Sequence, residues 1–247
     1  MEGEKMKKYI KHGIFTVFVT IFLFSAINLS GIFAEYKAGE DEYSDLRAFT
    51  YEKEPTAGED WVDDLEINFD EYKAMNDDFV GWIKINDTSI NYPVVHGSNN
   101  EYYLHHTFYG KSNFAGCIFM NCENTDIDLD QNVILYGHNM KNGTMFADLR
   151  KYIEKDFWEQ HKYIQLYTRT GNHIYRIYSA YTTGSSSDSY KYSFADEQSF
   201  LDFLAKTQEL SDYDTGTELS ANSKILTLST CVGDASYRYV VHAVRVK

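Results

Sequence analysis

The sequence has few cysteines, few prolines and a deficit of positive charge. Its three cysteines, Cys117, Cys122 and Cys231, argue against a disulfide framework, and their odd number leaves at least one thiol unpaired within the chain. Two prolines, Pro55 and Pro93, exclude a proline-rich linker or stalk. The formal net charge of -14 argues against a nucleic acid partner, because binding to phosphates requires a basic surface.

The apolar content is nevertheless sufficient for a folded domain. Hydrophobic residues make up 43% of the sequence and aromatic residues 16%, which is enough to fill a core. The 247 residues match one domain of ordinary size with an appendage. Stability is therefore expected to come from the packing of a core rather than from covalent cross-links.

A basic flank followed by a long apolar stretch opens the sequence. Four lysines between residues 5 and 11 precede the apolar residues 13–34. This stretch is long enough to cross a hydrocarbon layer of ~30 Å, and basic residues favour the cytoplasmic side of a membrane. Residues 1–34 are therefore predicted to be a cytoplasmic tail and a single-pass signal anchor in the cytoplasmic membrane, with the remainder of the chain extracellular at the cell wall.

Two other interpretations of this segment stay open. A cleaved signal peptide has the same order of charge, and small residues lie near the end of the apolar stretch. Against cleavage, the stretch exceeds the roughly 7 to 15 apolar residues of a typical signal peptide, and no clear A-x-A site follows it. A buried core helix of a soluble protein is the third interpretation.

The region after the apolar stretch divides by composition. Residues 35–60 are acidic and polar with little periodicity, which predicts a juxtamembrane spacer. Residues 61–247 are predicted to form the extracellular folded domain. This domain begins with a helix whose apolar face has spacings of four and three residues. The residues of that face are Leu65, Phe69, Tyr72 and Met75.

Eight short runs rich in β-branched and aromatic residues follow. They are residues 82–85, 90–96, 116–121, 132–137, 163–168, 173–183, 224–230 and 237–246. Eight strands predict a mostly β fold, a closed eight-stranded β-barrel with an N-terminal helical segment. Helices inserted between strands are predicted at residues 144–160 and 196–210. The inner face of the second inserted helix consists of Phe200, Phe203, Leu204 and Leu210.

Cys231 is the candidate nucleophile. It ends the predicted strand 224–230 and precedes turn-forming residues, a location where a side chain emerges from a sheet edge. An inert buried thiol is the alternative, because free cysteine is among the most buried residues. Arg238 begins the next predicted strand, and a cation beside the sulfur would favour the reactive thiolate. If the two strands pair as a hairpin, Arg238 faces Cys231.

His138 is the candidate proton carrier among eight histidines. It directly follows an apolar strand and a glycine, and it begins a loop that contains Asn139 and Asn142. Histidine titrates near pH 6.5, so it can both give and take a proton at neutral pH. The alternative for a loop histidine is a solvated surface residue. His242, inside an apolar run, is predicted to be a satisfied residue of the sheet.

Three separated motifs resemble those of the sortase family. The strand end "TLSTC" resembles the sortase cysteine signature, "LYGHNM" resembles the catalytic-histidine loop, and "YRYVVHAV" resembles the strand that carries the sortase arginine. The segments "INYPVVHGSNNEYYL" and "GCIFMNCEN", and a helix before the cysteine strand, are similar to the class B subfamily. The resemblance covers residues 64–247. It implies a sortase-type β-barrel.

The resemblance also implies an activity. A sortase is a membrane-anchored cysteine transpeptidase without a cofactor or metal, here expected to be a monomer. Its partners are surface proteins that carry a C-terminal sorting signal, and the amine of a cell-wall precursor or of a pilin lysine. Carried over to this sequence, Cys231 is the nucleophile that forms a thioester, His138 is the acid and base, and Arg238 holds the oxyanion.

Several further residues are candidates for substrate binding. Ser229 and Thr230 flank the nucleophile and are expected to bond the substrate backbone, with a structural role in the strand end as the alternative. Asn100 resembles a class B groove asparagine; its alternative is a turn residue. Tyr190 or Tyr192, in a polar loop predicted to be mobile, is expected to close over the peptide, with plain surface exposure as the alternative.

Several questions stay open at this point. Cys117 and Cys122 are five residues apart, which would place them on opposite faces of one strand as core or edge residues. A papain-like hydrolase is a rival, although in such chains the cysteine precedes the histidine. A barrel that binds peptide without chemistry is the second rival. Neither the sorting motif nor the acceptor amine follows from the sequence.

Overall fold

The structure is a computed structural model that describes residues 2–52, 65–232 and 234–247. The chain separates into two compact units, the first ending at Glu42 and the second beginning at Tyr43. The predicted limit between spacer and folded domain, at residues 60 and 61, lies outside the described residues. The domain limits drawn from the sequence therefore stay predictions.

The first unit is helical throughout its described residues. Helix α1 spans Glu2–Arg47 and thus continues through acidic residues assigned to the spacer. An 18-residue window of α1 has a mean hydropathy of 2.1, and none of that window is buried. Thr16 and Thr20 donate their hydroxyls to carbonyls one turn earlier, which satisfies these polar groups within the helix. By length and composition α1 can cross a membrane, a property that signal sequences share.

The second unit contains a small sheet and a closed barrel. The small antiparallel sheet pairs β1 (Tyr51–Glu52) with β2 (Leu65–Glu66). The barrel strands are β3 (Phe79–Lys84), β4 (Asn91–Val95), β5 (Ile118–Met120), β6 (Asn132–Tyr136), β7 (Tyr163–Thr168), β8 (Gly171–Gly184), β9 (Ile225–Val232) and β10 (Asp234–Arg245). Their order is β10-β8-β7-β3-β4-β5-β6-β9, and β9 pairs with β10 to close the barrel. The predicted eight-stranded barrel is confirmed.

Strand direction explains the apolar character of β6 and β9. These two strands pair in parallel, as do β4 and β5, whereas the other described barrel pairs are antiparallel. Parallel strands are usually covered on both faces, so they have continuous apolar runs rather than alternation. Val133, Ile134 and Leu135 of β6 are all buried accordingly. The parallel pairing also makes β6 and β9 end at the same edge of the sheet.

The helices of the second unit cover the barrel. They are α2 (Phe69–Met75), α3 (Lys155–Gln160) and α4 (Glu197–Glu209), with 3₁₀ helices at Tyr102–Leu104, Ala147–Ile153 and Asp188–Tyr190. A capping box begins α4, because the Asp196 side chain accepts from the Ser199 backbone and Ser199 bonds back to Asp196. The apolar face of α4 packs against the barrel and forms a hydrophobic cluster with it. The buried residues of this cluster are Tyr178, Phe200, Phe203, Leu204, Ile225 and Val244.

The predicted inserted helices are confirmed, the first as a 3₁₀ helix followed by α3 within residues 144–160. Three local predictions were wrong. Leu65 lies in β2, where it pairs with Glu52, rather than on the first helix. Leu210 is 43% exposed because α4 ends at Glu209. Cys117 and Cys122 flank the short strand β5 rather than occupying opposite faces of it, with Cys117 buried and Cys122 partly exposed.

Candidate active site

A groove of about 290 Å³ lies where β6 and β9 end and β10 begins. Its lining residues are Asn100, Glu101, Leu104, Phe119, Tyr136, Gly137, His138, Ser185, Tyr190, Ser229, Thr230, Cys231 and Arg238. All seven residues named as catalytic or substrate-binding in the sequence are in this set. The barrel topology therefore brings together side chains that are far apart along the chain.

Cys231 and Arg238 face each other across two strands. They are direct partners in the antiparallel pairing of β9 with β10, and both are partly exposed. Side chains of directly opposed residues lie on the same face of a sheet, with Cβ atoms about 5 Å apart. An irregularity in the register between Asp234 and Arg238 precedes the arginine. The guanidinium Nη1 donates to the carbonyl of Tyr237 at 2.9 Å. The hairpin thus sets a fixed positive charge beside the thiol.

His138 enters the groove from the end of β6. Gly137 donates its N–H to the carbonyl of Ser229, which continues the ladder to β9 for one more residue. A Cβ on Gly137 would come within 2.9 Å of the Phe146 ring, so the close approach of this turn requires glycine. The imidazole Nε2 lies 2.7 Å from the carbonyl of Leu104.

The surroundings of His138 determine its protonation. Burial lowers the pKa of His138 below its ordinary value, the carbonyl of Leu104 raises it in part, and nearby His105 lowers it further. The ring is therefore mainly neutral at neutral pH. A carbonyl can only accept a hydrogen bond, so Nε2 carries the proton and Nδ1 has the lone pair. Nδ1 is the atom at which His138 can take up a proton.

The histidine loop is also tied to the cysteine strand. Asn139 Nδ2 donates to the main-chain carbonyl of Cys231 at 2.8 Å. The loop then turns back, because Phe146 donates its N–H to the carbonyl of His138 and Asn139 forms a bridge with Met145. The loop that carries His138 is thus joined to the strand that carries Cys231 by a hydrogen bond from the residue that follows the histidine.

Tyr190 forms the opposite wall of the groove. It ends the 3₁₀ helix Asp188–Tyr190, and its hydroxyl lies 3.0 Å from Ser229 Oγ on the strand that carries the thiol. Burial raises the pKa of Tyr190, and the charge of Arg238 lowers it in part. Tyr192, the other tyrosine considered for this role, interacts with Glu123 and is not among the lining residues. Tyr190 is therefore the tyrosine positioned at the groove.

A buried polar network holds the segment that carries Tyr190. His242 lies in the core with Nδ1 2.9 Å from Thr227 Oγ1 and Nε2 2.9 Å from the Tyr181 hydroxyl. The same hydroxyl lies 2.8 Å from Ser189 Oγ, next to Tyr190. Asn132 Nδ2 donates to the carbonyl of Lys191 on the other side of Tyr190. His242 is satisfied within the sheet, as its sequence context predicted.

Asn100 and Thr230 differ in how their polar groups are satisfied. Asn100 Nδ2 donates to Asn121 Oδ1, and Asn100 Oδ1 accepts from the backbone N–H of Cys122, both at 2.8 Å. This amide is thereby fixed in orientation at the groove. Thr230 is buried, and its hydroxyl has no hydrogen-bond partner among the described residues. Buried hydroxyls are usually paired, so a ligand in the groove is a candidate partner.

Several lining residues were not singled out in the sequence. Phe119 and Tyr136 are neighbours on β5 and β6, with ring centroids 5.4 Å apart, and they form an aromatic part of the groove. Burial raises the pKa of Tyr136 well above its ordinary value despite the opposing charge of Arg238. Leu104 contributes a backbone carbonyl, for which the sequence has no signal. The sequence predicted the strand that contains Tyr136, but it did not indicate on which face of the sheet the side chain would lie.

A second depression on the described part of the second unit lacks this combination of groups. It is more open, with a volume of about 470 Å³, and lies near Asn68, Asp70 and Arg169, where Arg169 and Asp70 form an exposed ion pair. Its lining includes neither cysteine nor histidine. Within the described ranges, no group of three or more histidine, cysteine, aspartate or glutamate residues could hold a metal ion. The groove at Cys231 is therefore the candidate active site.

Sequence comparisons agree with this assignment. The Sortase domain family model matches residues 83–246. The curated Sortase B of Listeria monocytogenes is 34% identical over 233 residues, which covers 94% of this chain and 94% of that protein. The curated Sortase B of Staphylococcus aureus is 35% identical over 182 residues, covering 72% of this chain and 75% of that protein.

Solved structures give the same result for the fold. A sortase B from B. anthracis in complex with AAEK1 superposes with a TM-score of 0.76 at 32% identity, covering 87% of this chain and 99% of that one. A Staphylococcus aureus sortase B-substrate complex superposes with a TM-score of 0.69 at 36% identity, covering 72% and 84%. The barrel and its inserted helices are thus those of these proteins.

Proposed function

The chain belongs to the sortase family of cysteine transpeptidases, and from this premise we propose that Cys231, His138 and Arg238 carry out acyl transfer from a sorting peptide to an amine. The observation that carries the proposal is the groove in which these three side chains meet. A thiol, a histidine and a fixed cation are the groups that acyl transfer without a metal requires.

The first half of the reaction forms a thioester. His138 Nδ1 takes the proton of the Cys231 thiol, and the sulfur attacks the carbonyl carbon of the peptide. The tetrahedral intermediate collapses with breakage of the C–N bond, and His138 returns its proton to the leaving nitrogen. The neutral state of His138, which follows from its lowered pKa, fits the initial role as base.

The second half regenerates the thiol. The acceptor amine attacks the thioester carbon, and His138 takes the proton of the attacking nitrogen. The C–S bond breaks, the sulfur leaves as thiolate, and it recovers a proton from His138. Arg238 stabilises the oxyanion that develops in both halves, because a fixed cation in a partly desolvated groove interacts strongly with developing negative charge.

The substrate-binding roles are assigned to four residues. Thr230 has an unpartnered buried hydroxyl that a substrate carbonyl or amide would satisfy. Tyr190 and Ser229, joined by their hydrogen bond, form one wall of the peptide site. Asn100 presents an amide whose orientation is held by Asn121 and Cys122. Together they bind the peptide along the groove.

The donors are surface proteins with a C-terminal sorting signal, and the acceptor is an amine of a cell-wall precursor or a pilin lysine. A substrate complex of the Staphylococcus aureus relative supports the first assignment. Residues 13–34 of α1 anchor the enzyme in the cytoplasmic membrane with the N-terminus inside. Catalysis then takes place at the cell wall, where both substrates are found.

The test is a transpeptidation assay with the full chain in detergent. A peptide library that scans the sorting motif is offered with acceptor amines, including a short glycine peptide, and thioester and ligated product are detected by mass spectrometry. Cys231→Ala is expected to abolish both species, whereas Cys122→Ala, at a partly exposed thiol outside the groove lining, retains them. Unimpaired turnover by Cys231→Ala would exclude the proposal. Free acid alone, even with acceptor present, would identify a hydrolase instead.

A further inference from the structure

Asn139 occupies a position where the pairing of two strands is interrupted. Strands β6 and β9 run parallel with Tyr136 opposite Ser229, and Gly137 N–H donates to the Ser229 carbonyl. Hydrogen bonds to the same neighbouring strand recur at every second residue of a parallel ladder. The next rung would therefore join the N–H of Asn139 to the carbonyl of Cys231.

The side chain of Asn139 makes this contact in place of the expected backbone rung. Asn139 Nδ2 donates to the Cys231 carbonyl at 2.8 Å. The loop backbone instead pairs with the returning part of the loop, where Asn139 and Met145 form an isolated antiparallel bridge and Phe146 donates its N–H to the His138 carbonyl. The chain thus leaves the sheet at His138, and the Cys231 carbonyl still accepts a hydrogen bond, from the side chain of Asn139.

We propose that Asn139 is a positioning residue that couples the His138 loop to the Cys231 strand. This inference rests on the proposed function. The Cys231 carbonyl lies near the end of β9, and Cys231 is paired with Arg238 on the far side of the register irregularity in β10. The neighbouring rung, from the Gly137 N–H to the Ser229 carbonyl, lies two residues before Cys231 and does not hold the end of β9 at the thiol itself. A misplacement of a reacting group by about 1 Å can cost ~10²-fold in rate.

Three substitutions test this role. Asn139→Ala removes the amide, and Asn139→Asp keeps its shape but offers a carboxylate that cannot donate to a carbonyl. Asn139→Gln retains the donor on a longer side chain and is expected to recover part of the activity. The matched control is Asn142→Ala in the same loop, whose side-chain oxygen accepts hydrogen bonds from the N–H and the hydroxyl of Thr144.

Two rates are measured with the full chain in detergent: single-turnover thioester formation, and alkylation of Cys231 by iodoacetamide. For Asn139→Ala and Asn139→Asp, thioester formation is expected to fall about 10- to 100-fold. Alkylation should change less than about threefold, because iodoacetamide reacts with the thiolate fraction of Cys231 and requires no proton transfer through a positioned His138. Asn142→Ala should stay within about threefold of the parent in both rates. KM for the peptide is expected to change less than kcat.

The outcomes separate this inference from the proposed function. If the parent chain forms no Cys231-dependent thioester, the proposed function fails. If the parent forms it and Asn139→Asp forms it equally fast, the positioning role alone is refuted. Equal losses in thioester formation and alkylation, or an equal loss in Asn142→Ala, would also overturn it by showing general disruption of the groove.

Discussion

The two histidines His138 and His242 are both desolvated, yet their environments differ in one respect. Both ring nitrogens of His242 are bound to side chains of the core, Thr227 and Tyr181. For His138, the described residues supply one partner, the carbonyl of Leu104. Burial lowers the pKa of each ring, so a shifted pKa does not distinguish them. What distinguishes them is Nδ1 of His138, which is available in the groove for proton exchange, whereas both ring nitrogens of His242 are engaged.

This difference assigns each histidine its expected effect. His242 stabilises the structure. It lies on β10, bonds Thr227 of β9, and connects through the Tyr181 hydroxyl to Ser189. In the proposed mechanism His138 exchanges a proton with the reacting groups, because its Nδ1 is the atom at which it can take one up in the groove. Substitutions of His138 should therefore change the rate more than the stability, and substitutions of His242 the reverse.

The largest effect is expected for His138→Gln. Loss of the proton carrier should lower kcat/KM by about 10²- to 10⁴-fold, the usual contribution of general acid–base catalysis. The melting temperature should change little, since the ring is partly exposed and has one hydrogen bond among the described residues. Steady-state transpeptidation and thermal unfolding measure the two quantities. A large loss of stability with preserved kcat/KM would reverse the assignment of roles.

His242→Gln is expected to lower stability rather than the rate constant for chemistry. The pKa of His242 is lowered by burial to about 3, against ~6.5 in the unfolded chain. Between these values the unfolded state binds a proton that the folded state does not, so the free energy of unfolding falls as the pH decreases from about 6.5 towards 3.

Each pKa unit corresponds to ~1.4 kcal/mol, so the loss on acidification amounts to several kcal/mol. Denaturant unfolding at about pH 7 and about pH 4.5 measures it. His242→Gln should be less stable near pH 7 and should lose less stability on acidification than the parent. Because His138 and His173 also have lowered pKa values, the parent and the variant must be compared directly. Identical pH slopes for the two proteins would contradict the prediction.

Tyr190→Phe should have the smallest effect. The substitution keeps the ring but removes the hydrogen bond to Ser229 Oγ, worth about 1 kcal/mol and therefore about fivefold in affinity. The KM for the sorting peptide is therefore expected to increase, and kcat is expected to change less. Tyr192→Phe, outside the groove lining, serves as the control and should leave KM unchanged. An increase in KM of the same size in both variants would contradict the assignment of Tyr190 to the peptide site.

The barrel and the pairing of Cys231 with Arg238 could be predicted from the sequence for a physical reason. Each strand was marked by a short run of β-branched and aromatic residues, and the antiparallel hairpin of β9 and β10 joins neighbours in sequence. Local signals of this kind are sufficient to place the thiol opposite a cation. The context of His138, directly after an apolar strand and a glycine, made it a candidate proton carrier, and the motifs that resemble sortases placed it with Cys231 and Arg238, from which it is distant along the chain.

Other features depend on tertiary contacts that have no local signal. The carbonyl of Leu104 meets His138 from 34 residues away, and every residue type supplies such a carbonyl. Leu65 fits a helical spacing, yet pairing with Glu52 draws it into β2. Tyr190 and Tyr192 are equivalent by composition, and the network around His242 determines which one meets Ser229.

The order of strands around the barrel determines when the groove can form during synthesis of the chain. Strand β10 is both the last strand of the described chain and the one that joins β8 to β9. Synthesis proceeds from the N-terminus, and contacts between distant segments form slowly. A nascent chain that ends before residue 238 has its thiol and its histidine but lacks the opposing guanidinium. The groove is therefore completed only after β10 has been made, when the guanidinium of Arg238 takes its place opposite Cys231.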